Sequence, residues 1–135
     1  MSGIILDTDI ISGVMREGPD DPITIWMSRH LPALFYLTSI TIAELWQGVG
    51  KLDSHHSKRA YYIAEIETID KRFENRILDF DKKAARLWGE MRGEALRKGR
   101  IIPELDLQIA VRLAPRHVCC DRQHKAFYRP WPRFD

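Results

Sequence analysis

Two periods of apolar positions run through this chain. Ile4-Ile5-Leu6 is a solid apolar run with two β-branched members, and it breaks at once into Asp7-Thr8-Asp9. That predicts a short buried strand. Helical character follows over 10–16 and stops at Glu17-Gly18-Pro19, a strong breaker. Asp20-Asp21-Pro22 then suits a helix N-terminus, where acids and proline are favoured. Ile23, Trp26, Met27 and His30-Leu31 give this second helix an apolar stripe, and Pro32 ends it. Phe35-Tyr36-Leu37 predicts a second strand. From Ser39 to Val49 the helical period returns. Thr38 or Ser39 is its cap, Ile42, Leu45, Trp46 and Val49 share one face, and Gly48 marks a close packing contact or an early end.

Over 58–73, Tyr62, Ile63, Ile66, Ile69 and Phe73 recur at three- and four-residue steps, which predicts an amphipathic helix. Residues 76–80 predict a third short strand. Asp81 caps a helix running to about Gly99, with Ala84, Leu87, Trp88, Met91 and Ala95 facing a core and basic residues gathered at its C-terminal end. Pro103-Glu104 begins another helix, with Asp106 in its first turn and Leu107, Ile109 and Ala110 buried. The final strand is His117 to Cys120. Strands separated by helices imply right-handed crossovers and a mainly parallel sheet, an α/β fold. No internal repeat or linker interrupts it.

With 135 residues, 44% of them hydrophobic, the chain is expected to form one domain, 1–135, with a single core. No apolar run approaches the ~20 residues of a membrane span, so no membrane partner is expected and a cytoplasmic protein is the default. Cys119 and Cys120 are neighbours with no second pair, which excludes a disulfide framework or a cysteine-based zinc site. His55-His56 lies in a polar connection and is expected to be solvated. The net charge of +2 hides an asymmetry: residues 112–135 carry +4 and residues 1–111 carry −2.

Chemistry concentrates in three acids. Asp7 stands where a buried strand ends, at the rim where open α/β sheets keep their ligand crevices. Asp7 or Thr8 suits a helix cap equally well. Glu44 lies one turn into its helix beside the apolar face, where a solvated glutamate is the plain alternative, and Asp106 opens another helix. In a parallel sheet, strand ends and helix starts converge on one edge, so the three can share a cleft. Two carboxylates about 5 Å apart repel by roughly 3 kcal/mol at an effective dielectric near 20. Such a cluster needs a counter-ion or a shared proton. An all-oxygen site suits Mg²⁺ or Mn²⁺, the apparatus of phosphodiester hydrolysis.

Three stretches also carry a resemblance: Ile5-Leu6-Asp7-Thr8-Asp9-Ile10-Ile11-Ser12, Thr38-Ser39-Ile40-Thr41-Ile42-Ala43-Glu44-Leu45-x-x-Gly48-Val49, and Gly99-x-x-Ile102-x-x-x-Asp106-x-x-Ile109-Ala110. In order and spacing, over residues 1–110, the chain resembles the PIN-domain family and, within it, the VapC-like ribonuclease toxins of toxin–antitoxin pairs. The resemblance implies a three-layer α/β/α sandwich and Mg²⁺-dependent RNA cleavage. It implies Asp7 and Asp106 as direct metal ligands, and Glu44 as a ligand or as the general base that orients water. Thr8 would support the site through its hydroxyl, and Asp9 would be an outer acid. The implied partners are an RNA (often a tRNA), a homodimer mate and a small antitoxin whose tail blocks the cleft.

Beyond Ala110 the chain departs from that pattern. The family continues with a helix, a His-Gly turn, an apolar strand and Thr-x-Asn or Thr-x-Asp, which supplies a fourth polar site residue. Here Pro115 interrupts the helix, and Asp121, a doubtful substitute, comes about two positions early. A shifted reading frame accounts for the whole departure. Codons permitted under residues 111–131, read one nucleotide later, can spell the missing helix, His-Gly turn, strand and Thr-x-Asn. The basic tail is then an out-of-frame product and poor support for RNA binding. The sequence also admits a rival, a catalytically weakened or inactive member that still dimerises and binds its antitoxin. A phosphate-receiver domain is disfavoured, because the long helical stretch from Ile40 to Phe73 breaks the five-fold β/α alternation it requires.

Overall fold

A computed structural model describes residues 3–100, 117–120 and 126–127 of the chain. The first strand, β1 (Gly3–Leu6), runs into helix α1 (Thr8–Glu17), and α2 (Pro22–Ser28) follows. Then come β2 (Phe35–Thr38), α3 (Ser39–Gly50), α4 (Arg59–Arg72), β3 (Ile77–Leu78) and α5 (Lys82–Arg97). Two strands close the described part, β4 (His117–Cys120) and β5 (Ala126–Phe127). The predicted helix at Pro103–Glu104 lies outside the described residues.

The sheet order is β3-β2-β1-β4-β5. β1 is parallel to both β2 and β4, β2 is parallel to β3, and β5 is antiparallel to β4. The sheet is thus mainly parallel, as the alternation of strands and helices predicts. The steps β1→β2→β3 move one way across it, and the return to β4 moves the other way. Right-handed crossovers therefore put α1–α4 on one face and α5 on the opposite face, giving three layers. Burial agrees. Leu6, Phe35 and Leu37 pack with Ile10, Ile23, Leu45, Val49, Ile66, Ile69 and Phe73 in one cluster. Ile5, also fully buried, lies outside that cluster, as strand alternation requires. Ala84 and Met91 of α5 form a second cluster with Phe80, Leu87 and Trp88. Each fully buried Leu or Ile contributes about 1.5–3 kcal/mol.

Capping explains where the helices begin and end. Asp21 caps α2 by accepting from the N–H groups of Ile23 at 2.9 Å and Thr24 at 3.2 Å, with Pro22 in the first turn. Asp81 accepts from Ala84 N–H at 2.8 Å, and α5 ends on Gly99 at φ +69°. There Arg100 N–H bonds to Ala95 O at 2.8 Å and Gly99 N–H to Leu96 O at 3.1 Å, the paired C-terminal bonds that favour glycine. Asp21→Ala is expected to cost about 1 kcal/mol, read as a fall in melting temperature.

Four local expectations need correction. Leu31 does not belong to the α2 stripe: the helix ends at Ser28, and Leu31 is 72% exposed. Trp46 is 42% exposed, because α3 turns Thr41, Leu45 and Val49 inward instead. Gly48 neither ends α3 nor marks a close contact: a Cβ there would meet nothing within 4 Å. The third strand is two residues long. Arg76 sits in a tight turn with its guanidinium on Phe35 O, and Phe80 N–H donates to Ser39 Oγ at 3.1 Å. Among the described residues no helix is long and apolar enough to cross a membrane.

Candidate active site

β1 is where the chain reverses direction across the sheet, so the carboxyl end of β1 faces the crevice typical of ligand sites in open α/β folds. Asp7 follows β1 directly. Its carboxylate caps α1, Oδ1 accepting from Ile10 N–H at 2.9 Å. Asp7 is half-buried, Thr8 is half-buried, and Asp9 is exposed. The Thr8 hydroxyl oxygen is buried without a hydrogen-bond partner among the described residues.

The second arm comes from β2 and α3. The register pairs Ile4 with Phe35 and Ile5 with Tyr36, so β1, which Asp7 follows, runs beside the strand that ends at Thr38. Thr38 ends β2 and caps α3, its Oγ1 accepting from Thr41 N–H at 3.2 Å. Glu44 lies a turn further on. Half-buried, it lines a groove of about 250 Å³ between α3 and α1, beside Ser12, Met15 and Arg16. Asp7 stands at the start of α1, whereas the groove that Glu44 lines meets that helix further along, at Ser12, Met15 and Arg16, and Asp7 is not among its lining residues.

Asp106 and Asp121 lie outside the described residues. Asp121 follows Cys120 in sequence, and Cys120 pairs with Leu6, the residue before Asp7. Among the described residues no group of three or more His, Cys, Asp or Glu is placed to hold a metal ion. His55 and His56 are exposed, as expected.

Sequence reasoning missed Thr41, which is fully buried with its hydroxyl on that of Thr38. The signal was available as Thr38-x-x-Thr41, a strand-ending threonine followed by a second at helical spacing.

A parallel α/β sheet with an acid at its switch point defines a ligand-binding class, and similarity narrows it. No family model matches the chain. The chain is 33% identical over 107 residues to Toxin FitB of Neisseria gonorrhoeae, covering 79% of this chain and 77% of that one. It is 32% identical over 106 residues to Ribonuclease VapC2 of Haemophilus influenzae, covering 78% and 74%. Among solved structures, FitAcB from Neisseria gonorrhoeae superposes with a TM-score of 0.70 at 33% identity, over 80% of this chain and 78% of that one. VapBC2 from Rickettsia felis bound to a promoter DNA fragment superposes at 0.65 and 29% identity, over 80% and 77%. The chain belongs to the VapC-like PIN-domain toxins of toxin–antitoxin systems.

Proposed function

We propose that this chain is the toxin of a toxin–antitoxin pair, an Mg²⁺- or Mn²⁺-dependent endoribonuclease acting through Asp7, Glu44 and Asp106. The observation that carries this is Asp7 at the switch point, in a chain one-third identical to a toxin over four-fifths of its length. Relatives named VapC ribonucleases support the reaction, and neighbours solved as VapBC or FitAB complexes support an antitoxin partner. A homodimer mate, cytoplasmic location and an RNA substrate, tRNA among the first to try, belong to the same reading.

The donors suit a hard cation. They are oxygens without His or Cys, and the buried Thr8 hydroxyl beside Asp7 has no partner among the described residues. When bound, the cation activates water for attack and neutralises charge building on the phosphate. A carboxylate offers about four lone-pair sites, so Asp7 can cap α1 through Oδ1 and still ligate. Asp106 would be the second ligand. Glu44 would either ligate or take the proton of the attacking water, and Thr8 would support the site through its hydroxyl.

The test is cleavage of a panel of tRNA and structured RNA. Cleavage is expected with Mg²⁺, and it should vanish in EDTA, return on adding Mn²⁺, and fail in Glu44→Gln. Cleavage indifferent to EDTA would remove the metal from the mechanism. The departure beyond residue 110 favours a second reading, a catalytically weakened or inactive member that still binds its antitoxin. A folded chain that binds Mn²⁺ and antitoxin but cleaves nothing would establish that one.

A further inference from the structure

The carboxyl rim of the sheet extends past Asp7 to the ends of β2 and β3. From β3 the chain enters α5 through Asp79-Phe80-Asp81, and Phe80 N–H donates to Ser39 Oγ at 3.1 Å, pinning that turn to the start of α3. Because β3 is parallel to β2 and β2 to β1, the first turn of α5 stands on the same rim as Asp7. Two strand spacings, roughly 10 Å, separate β3 from β1.

That rim is acidic. Asp7, Asp9, Asp79 and Asp81 all fall just after β1 or β3, so an RNA strand approaching it meets like charge. In the stretches that follow the three strands, 7–12, 39–44 and 79–85, the only basic side chains are Lys82 and Lys83. Both are exposed, in a first turn of α5 that holds no acid. A helix start favours acids, so two adjacent lysines there oppose the helix dipole. Among the described residues neither lysine has an ion-pair partner, whereas Arg86, a turn further on, is paired with Glu90 at 3.0 Å. Asp81 beside them turns its carboxylate onto Ala84 N–H at 2.8 Å. A local rule broken without internal compensation marks a place where function sets the residue.

We infer that Lys82 and Lys83 form a phosphate-holding arm for the RNA strand whose scissile bond lies at Asp7. This rests on the ribonuclease reading above. The arm takes another phosphate of the same backbone, two strands away from Asp7. Ammonium groups on flexible stems pair with phosphate as point charges and read no sequence. Both lysines are positioning residues: they hold the strand and touch none of the reacting atoms.

The experiment measures binding of a labelled single-stranded RNA in EDTA by fluorescence anisotropy, and cleavage in Mg²⁺ over a range of RNA concentrations, both on the full chain. Wild type is compared with the Lys82→Gln/Lys83→Gln pair and with Arg97→Gln/Arg100→Gln, which removes equal charge at the far end of α5. The lysine pair should bind RNA about 10-fold more weakly, with a slope of log affinity against log salt shallower by roughly 1.4. Its KM should rise by a similar factor while kcat stays within about 2-fold, as expected when only ground-state binding is lost. It should melt at or above the wild-type temperature, because charges opposed to the dipole are gone. The arginine pair should bind and cleave as wild type does. Unchanged affinity and KM in the lysine pair, or an equal loss in the arginine pair, would overturn the arm and leave the ribonuclease reading standing. Lysine-dependent binding by a wild type that cleaves nothing would uphold the arm and overturn the active-ribonuclease reading. A wild type that neither binds nor cleaves RNA would overturn both.

Discussion

Asp7→Asn should reduce RNA cleavage by about 100-fold or more while leaving the fold almost untouched. The size follows from the several kcal/mol that a bound cation supplies to a phosphoryl transition state. The stability expectation follows from the other role of Asp7, its bond to Ile10 N–H at the start of α1. Asparagine is as good an N-cap as aspartate, so that bond survives; only the charge–dipole attraction is lost, about 0.3–1 kcal/mol. Asp7→Ala removes the cap as well and should melt lower than Asp7→Asn at equal loss of activity. Measuring cleavage and melting on the three chains separates ligand from cap. Full activity in a correctly folded Asp7→Asn chain would remove Asp7 from the reaction.

The largest effect on stability should come from Leu37→Ala, at about 2–5 kcal/mol. Leu37 is 0% exposed, in β2, and belongs to the cluster that joins the sheet to α1–α4. Domains of this size are stable by only about 5–15 kcal/mol, so the variant would stand near the unfolding threshold. Leu31→Ala removes the same side chain where it is 72% exposed and should stay within about 0.5 kcal/mol of wild type. Urea unfolding of the two variants reads the contrast directly.

Much of the fold was legible because local signals agreed. Asp7, Asp21, Thr38 and Asp81 are short polar side chains placed just before apolar helical runs, and all four cap helices. The strand His117–Cys120 was legible with its bounds, but its place beside β1 was not, since alternation alone leaves the strand order open. Illegible features depend on contacts distant in sequence. Trp46 has the right spacing for a core residue, but the packing of α3 against its neighbours selects the Thr41 stripe instead. β5 is two residues long and antiparallel, too short for any period to register. Asp7, Thr8, Asp9 and Glu44 were named from motif and context; the structure places Asp7 directly after β1 and Glu44 on the flank of α3. Asp106 and Asp121 were named the same way but lie outside the described residues. The Thr38–Thr41 bond was not foreseen, because threonine near a helix start reads as a cap.

The position of β1 also sets the order in which the molecule can be finished during synthesis. β1 leaves the ribosome well ahead of one of its two neighbours, β4, which begins at His117. At about 5–20 residues per second, the strand that carries Asp7 waits roughly 5–20 s for its second edge to arrive. The crevice is therefore completed only once β4 has emerged, and a nascent nuclease of this design has no finished site until then.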